Sequence, residues 1–192
     1  MKYHFLVLGT LCTVVTAVGV MSTARAEVST SVPSEEPEQT EQQSISPKSL
    51  PSISPVVMSS SERSIYDRVN QYRQSKNLPP LTIDPIISAQ AKAHSEKMAR
   101  VGRIGHEGFN DRVQSVSKEI VYRSAAENVG YSVGYAQPEA IAVEDWIGSP
   151  GHQKNMVGRY DLTGIGSAKN ARGETYFTQI FIRKAWYVRD AD

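Results

Sequence analysis

The apolar positions of this chain change their period twice. An unbroken apolar run from Phe5 to Met21 comes first, and Lys2 is the only formal side-chain charge ahead of it. Residues 27–60 carry no period at all. Helical spacing then takes over. Ser59-Ser60-Ser61-Glu62 fits a capping box, and Ile65, Val69 and Tyr72 follow at i, i+4, i+7. This predicts a helix over about 62–76, ended by Leu78-Pro79-Pro80-Leu81. Asp84-Pro85 supplies an N-cap and a proline at the first helical position. Ile87, Ala91, His94 and Met98 share one face of the second helix, which runs to about Val101 and closes at Gly102. Asp111 is positioned to cap a short helix through Val116. Val129, Tyr131 and Val133 alternate as a short strand would, Gln137-Pro138 opens another helix with Ala142 and Trp146 on one stripe, and Ser149-Pro150 begins a brief one that Gly158 ends.

The period then falls to two. Leu162–Lys169 is a strand interrupted by Gly164 and Gly166, and Asn170-Ala171-Arg172-Gly173 is a turn. Over 174–184, Tyr176, Thr178, Ile180 and Ile182 occupy one face, while Phe177, Gln179 and Phe181 occupy the other. Large apolar groups on both faces predict a strand covered on both sides. Helices first and a hairpin last give an α+β class, with helices on both faces of a small antiparallel sheet.

The first two segments read as something other than folded domain. The apolar run ends near Ala24-Arg25-Ala26, a small-x-small site, so residues 1–26 have the layout of a secretory signal peptide cleaved after Ala26. An uncleaved anchor is the competing reading, but the run is short for a spanning helix. Residues 27–60 are rich in Pro, Ser, Glu, Gln and Thr and hold no aromatic residue. That composition buries too little apolar surface to offset chain entropy, which predicts a disordered linker. As a coil it would span roughly 30 Å.

Charge and cysteine content narrow the function. The whole chain carries +1. Setting aside +2 on the export segment and −4 on the linker leaves +3 on residues 61–192. With no basic-aromatic run, nucleic-acid binding is excluded. The one cysteine, Cys12, lies inside the apolar run, so residues 61–192 hold their single core by packing and without disulfides.

The chain resembles the CAP superfamily (cysteine-rich secretory proteins, antigen 5, pathogenesis-related group 1) in its bacterial SCP-like form. The residues that carry the resemblance run across 61–192. They are Asn70-Gln71-Tyr72-Arg73, Leu78-Pro79-Pro80-Leu81, the stretch Ala91 to Ala99, His106, Ala126-Glu127-Asn128, Trp146 to His152 with Asn155, Gly164-Ile165-Gly166 and Tyr176-Phe177-Thr178-Gln179. The resemblance implies an α-β-α sandwich and an exported protein, extracellular, periplasmic or in the cell envelope.

On chemistry alone, His106, Glu127 and His152 are two imidazoles and a carboxylate near element ends, a set that suits zinc with an open position. They stand 21 and 25 residues apart, so no local spacing supports them. The resemblance implies a central cleft with two histidines and two acids, holding a divalent ion in several members. His106 matches the first histidine and Glu127 the acid of the Glu-Asn pair. Ser149 stands where many members have the second acid, and Tyr176 where they have the second histidine. His152 is the candidate substitute. Asn70, Arg73, Asn128 and Tyr176 are expected near the cleft as structural residues, with Asn70 and Arg73 tying the first helix to neighbouring backbone. His94 reads as a structural histidine and Trp146 as core. Arg112 fits either a pair with a cleft acid or a surface position. Ser149 followed by His152 suggests a serine hydrolase, but Ser149 also suits a helix N-cap and no third group orients the pair.

Three functions compete. The expected one is a monomeric, non-catalytic binding module for a small molecule, lipid or cell-envelope component, with or without zinc or another divalent cation. The second is a metal-dependent hydrolase, such as a protease, using the same cleft. The third is a structural domain that meets the envelope through its surface.

Overall fold

The structure, a computed structural model, describes residues 15–16 and 58–185. The expected export segment apart from residues 15–16, and the expected linker up to residue 57, lie outside the described residues. Among the described residues, no helix is long and apolar enough to cross a membrane.

The elements in chain order are β1 (Val15–Thr16), α1 (Ser60–Ser75), β2 (Thr82–Ile83), α2 (Pro85–Val101), α3 (Phe109–Ser117), β3 (Tyr122–Ser132), α4 (Pro138–Gly148), α5 (Pro150–Met156), β4 (Leu162–Lys169) and β5 (Thr175–Lys184). The strands form one sheet in the order β1-β3-β5-β4-β2. β3, β5 and β4 are antiparallel and make up its body. The two-residue β2 joins β4 in parallel, so the sheet is mixed at that edge. Helices cover both faces, and the fold is the α+β sandwich.

Local chemistry sets the helix ends. Ser59 and Glu62 form a reciprocal capping box on α1. Asn77, with φ 58°, takes the left-handed turn that ends it. Asp84 accepts from the amides of Ile86 and Ile87 at 2.9 and 3.1 Å, and Gly102 closes α2 in the left-handed region. α3 starts earlier than expected. Gly108, with φ 79°, occupies its N-cap without a side-chain bond, which places Asp111 inside the first turn. β3 begins seven residues before its visible alternation, at Tyr122, because Ala125, Ala126, Glu127 and Asn128 are buried there by packing that small and polar side chains do not announce.

The two sheet faces bury different cores. Ala126, Ile165, Phe177 and Phe181 pack against Ile65, Val69 and Trp146 of α1 and α4. Ala125, Ile180 and Ile182 pack against Ile87, Ala91 and Val113 of α2 and α3. Met98, Val129 and Tyr176 continue the second face toward the far end. Gly164 and Gly166 explain how close α2 lies. A Cβ on Gly166 would overlap the backbone of Ala91 and Lys92, and one on Gly164 would overlap that of Ile87 and Ser88.

Two polar side chains fix the α1 end of the molecule. Asn70 donates to the Leu81 carbonyl at 3.1 Å and accepts from its amide at 2.8 Å. Arg73, only 1% exposed, donates to the carbonyls of Pro79, Met156, Gly158 and Tyr160. Burial lowers its pKa, and the Asp161 charge opposes that shift.

The close contact between α2 and β4 is testable. Gly166→Ala forces the helix off the sheet and lowers unfolding free energy by about 3 kcal/mol or more. Urea denaturation of the full chain measures it; a loss below about 1 kcal/mol would contradict the close contact.

Candidate functional site

The candidate site forms at the β3 side of the sheet, where neighbouring residues of one strand serve opposite faces. Glu127 points to the α2 and α3 face, and Asn128 to the α5 face. Glu127 is buried, its side chain 1% exposed. Both its oxygens are occupied. Arg112 of α3 donates through Nε to Oε2 at 2.9 Å, and through Nη2 to Oε1 and Oε2 at 2.7 Å each. Its Nη1 donates to the Glu107 carbonyl at 2.9 Å. The pair is therefore charge-assisted and bidentate, the geometry for which a guanidinium is suited.

His106 sits in the loop between α2 and α3. Its Nδ1 lies 2.9 Å from Glu127 Oε1. An ionised carboxylate only accepts, so Nδ1 carries the proton, and neutral His106 keeps a bare Nε2. The His106 side chain is 22% exposed. The Phe109 amide donates to the His106 carbonyl at 3.0 Å and tightens the loop.

A third histidine holds that loop from behind. His94 on α2 is 3% exposed, and its Nε2 lies 2.8 Å from the Gly105 carbonyl. Nε2 therefore donates, and the buried Nδ1 has no partner among the described residues. Burial lowers the His94 pKa, opposed by the Glu127 charge and assisted by Arg112 and His106.

His152 arrives on α5 from the other face. Asn128 Nδ2 donates to its carbonyl at 3.2 Å, and Asn155 Nδ2 donates to Asn128 Oδ1 at 2.9 Å and to the Glu127 carbonyl at 3.2 Å. These bonds fasten α5 to β3 beside Glu127. His152 is half-buried; desolvation lowers its pKa, and the His106 charge lowers it further.

The structure brings His106 and Glu127 into contact, and Asn128 holds the backbone of His152 from the opposite face of β3. Tyr176 lies apart. Glu127 pairs with Ile180 of β5, and Tyr176 is four residues along that strand, about 13 Å away. Its hydroxyl donates to Glu174 at 2.9 Å. Asn70 and Arg73 also act elsewhere, at the α1 end. Arg112 and Asn155 complete the cluster, and no spacing signal marks their partnership with Glu127. Ser149 occupies the N-cap of α5 but makes no side-chain capping bond. Trp146 is core, with its indole donating to the Val129 carbonyl at 3.0 Å.

The donor set can be tested against a metal. Among the described residues no three His, Cys, Asp or Glu side chains are grouped to hold an ion. The reason is visible at Glu127, whose oxygens already serve Arg112 and His106. A zinc site with three protein ligands does not fit; two imidazoles remain. Two grooves, of about 500 and 850 Å³, are lined by other residues.

Residues 66–181 match the cysteine-rich secretory protein family. The uncharacterized protein YkwD of Bacillus subtilis is 30% identical over 136 residues, covering 68% of this chain and 50% of YkwD. An extracellular protein containing a SCP domain from Bacillus anthracis superposes with a TM-score of 0.56 at 27% identity, over 65% of this chain and 40% of that one. An outer surface protein of Borrelia burgdorferi gives 0.57 at 20% identity, over 65% of this chain and 93% of that one, and shows a shared fold. This chain thus spans half the length of YkwD.

The cluster carries two expectations, one for a variant and one for pH. Arg112→Met strands a buried carboxylate and destabilises the chain by about 3–5 kcal/mol. Urea unfolding checks this; a loss under about 1 kcal/mol would show that the pair is not buried as described. As to pH, His94 and His152 resist protonation when folded and accept a proton near 6.5 when unfolded. Stability is therefore full above about 6.5 and falls as pH drops below it, until the folded-state pKa values are passed. Unfolding free energy measured from about pH 7.5 down to about pH 5.5 should decline, and decline less in His94→Gln/His152→Gln. An equally steep decline in that variant would contradict the assignment.

Proposed function

This chain belongs to the cysteine-rich secretory protein family, and on that premise we propose that it is an exported binding module for a component of the bacterial cell envelope. The ligand is held at the edge of β3 by the imidazoles of His106 and His152. The observation that carries this reading is the occupancy of Glu127. A hydrolytic base or a carboxylate ligand needs a free lone pair directed at the reacting centre. Here Arg112 and His106 take both oxygens, at 2.7–2.9 Å. The carboxylate instead fixes the ring of His106 through Nδ1 and leaves Nε2 on the side away from it. Cleft chemistry is then recognition by imidazoles, with the His106 ring oriented by Glu127, and Glu127 is a positioning residue.

One observation favours a metal-assisted version of the same site. An imidazole whose N–H is held by a carboxylate is the usual setting of a metal-bound histidine. His106 has that setting, with Glu127 behind its ring, and would be one ligand of such an ion, which would supply positive charge to an anionic ligand.

The test is co-sedimentation of the full chain with isolated bacterial cell walls, with chelator and with added zinc. His106→Ala/His152→Ala should lose roughly tenfold in affinity, about 1.4 kcal/mol, while no wall peptide is released in either condition. Undiminished binding of the double variant would remove the cleft from recognition. Zinc-dependent release of peptides would replace the binding reading with the hydrolase.

A further inference from the structure

A second concave surface lies at the other end of the sheet. Ser132 is five residues beyond Glu127 on β3, about 16 Å along the strand. There a groove of about 850 Å³ runs between the first turn of α1, the 133–137 loop and the β4–β5 turn. This size is in the range of small-ligand sites.

Its walls are built rather than incidental. Glu62 lies beneath the α1 wall and is 7% exposed. It accepts from the Ser59 amide at 2.9 Å, and from the Ser167 amide and hydroxyl at 2.9 and 3.1 Å. This joins the start of α1 to the end of β4. Lys92 reaches across from α2 to within 3.8 Å of Glu62 and donates to the Ser167 carbonyl. On the opposite wall Ser132 donates to the Pro138 carbonyl at 3.2 Å, and Gly134, with φ 81°, turns the loop.

The chemistry of the lining limits what fits. Hydroxyls dominate, from Ser59, Ser60, Ser61, Ser132, Ser167 and Thr175. Each hydroxyl can donate as well as accept. The lining carries three cations, Lys92, Lys169 and Arg172, and one anion, Glu139, but Lys92 lies 3.8 Å from Glu62 beneath the wall and Arg172 pairs with Glu174 at 2.8 Å, so much of that charge is answered from outside the groove. A polyanion gains little there. The loop wall presents Tyr135 and Val133, which are 42% and 36% exposed. A tyrosine supplies an apolar face with a polar tip. A ligand that matches a hydroxyl-rich groove whose charges are largely paired, with one aromatic platform, has hydroxyls at its edges and C–H faces between them. That describes a sugar ring.

We propose that this groove is an oligosaccharide-binding site, separate from the imidazole cleft and independent of it. Tyr135 is the platform, and Ser60 and Ser61 in the first turn of α1 are the hydroxyl partners.

The experiment is calorimetric titration of the full chain with chitotetraose and, separately, cellotetraose, which distinguishes N-acetylated from plain β-linked sugars. At least one should bind saturably. Tyr135→Ala should weaken it at least roughly fivefold, the loss expected for truncating an aromatic anchor. Ser60→Arg, which fills the groove, should do the same, and His106→Ala/His152→Ala should bind as the parent does. Tyr135 and Ser60 are exposed, so both variants should keep the parent's unfolding midpoint. No saturable binding of either sugar at millimolar concentration would overturn the proposal. So would parent-like binding by both groove variants, or loss confined to the histidine variant.

Discussion

The buried pair of Arg112 and Glu127 is the constraint around which the site is arranged. A carboxylate inside a sheet face is costly unless its charge is matched and its lone pairs are used. Arg112 does both, from a helix that begins at a left-handed glycine and places the guanidinium across β3. With its charge answered, Glu127 can hold the His106 ring through Nδ1. The same strand then uses its next residue, Asn128, to secure α5 and His152 on the opposite face. Two adjacent positions on β3 thereby organise two segments from either side of the sheet, a direct consequence of strand alternation.

That arrangement changes what the three candidate residues mean. His106 and Glu127 meet at 2.9 Å, and His152 is tied to the next residue of the strand through its backbone carbonyl, yet the carboxylate serves its neighbours rather than an ion. His94 extends the same logic one layer back, because its bond to Gly105 fixes the loop whose next residue is His106. The cluster is a set of orienting contacts that end in the His106 imidazole. Its carboxylate has both oxygens engaged, so Glu127 itself is neither a base nor a ligand.

Much of this fold was legible in the sequence because its signals are local. The Ser59–Glu62 box, Asp84-Pro85 and Gly102 mark their helix ends by short-range bonds. The alternation from Thr175 to Lys184 shows a strand buried on both faces. The missed features are those that depend on distant chain. The first half of β3 carries Ala125 and Ala126 where a strand usually shows branched residues, and only the helices packed on it make those positions strand. The two-residue β2 exists by pairing with β4. At the site, histidines and a glutamate are conspicuous residue types, whereas Arg112 fits a cleft pair and a surface position equally well until the fold brings it to Glu127, fifteen residues away. Tyr176 shows the opposite error, since a position in a familiar motif suggested the cleft and strand register puts it well along the sheet.

The most direct test of this account is the tautomeric state of His106, read from nitrogen chemical shifts and long-range proton–nitrogen couplings in the neutral ring. The Arg112–Glu127–His106 array requires the proton on Nδ1 and a bare Nε2. A ring protonated at Nε2, with Nδ1 bare, would mean that the carboxylate does not hold His106 and would contradict the site described here.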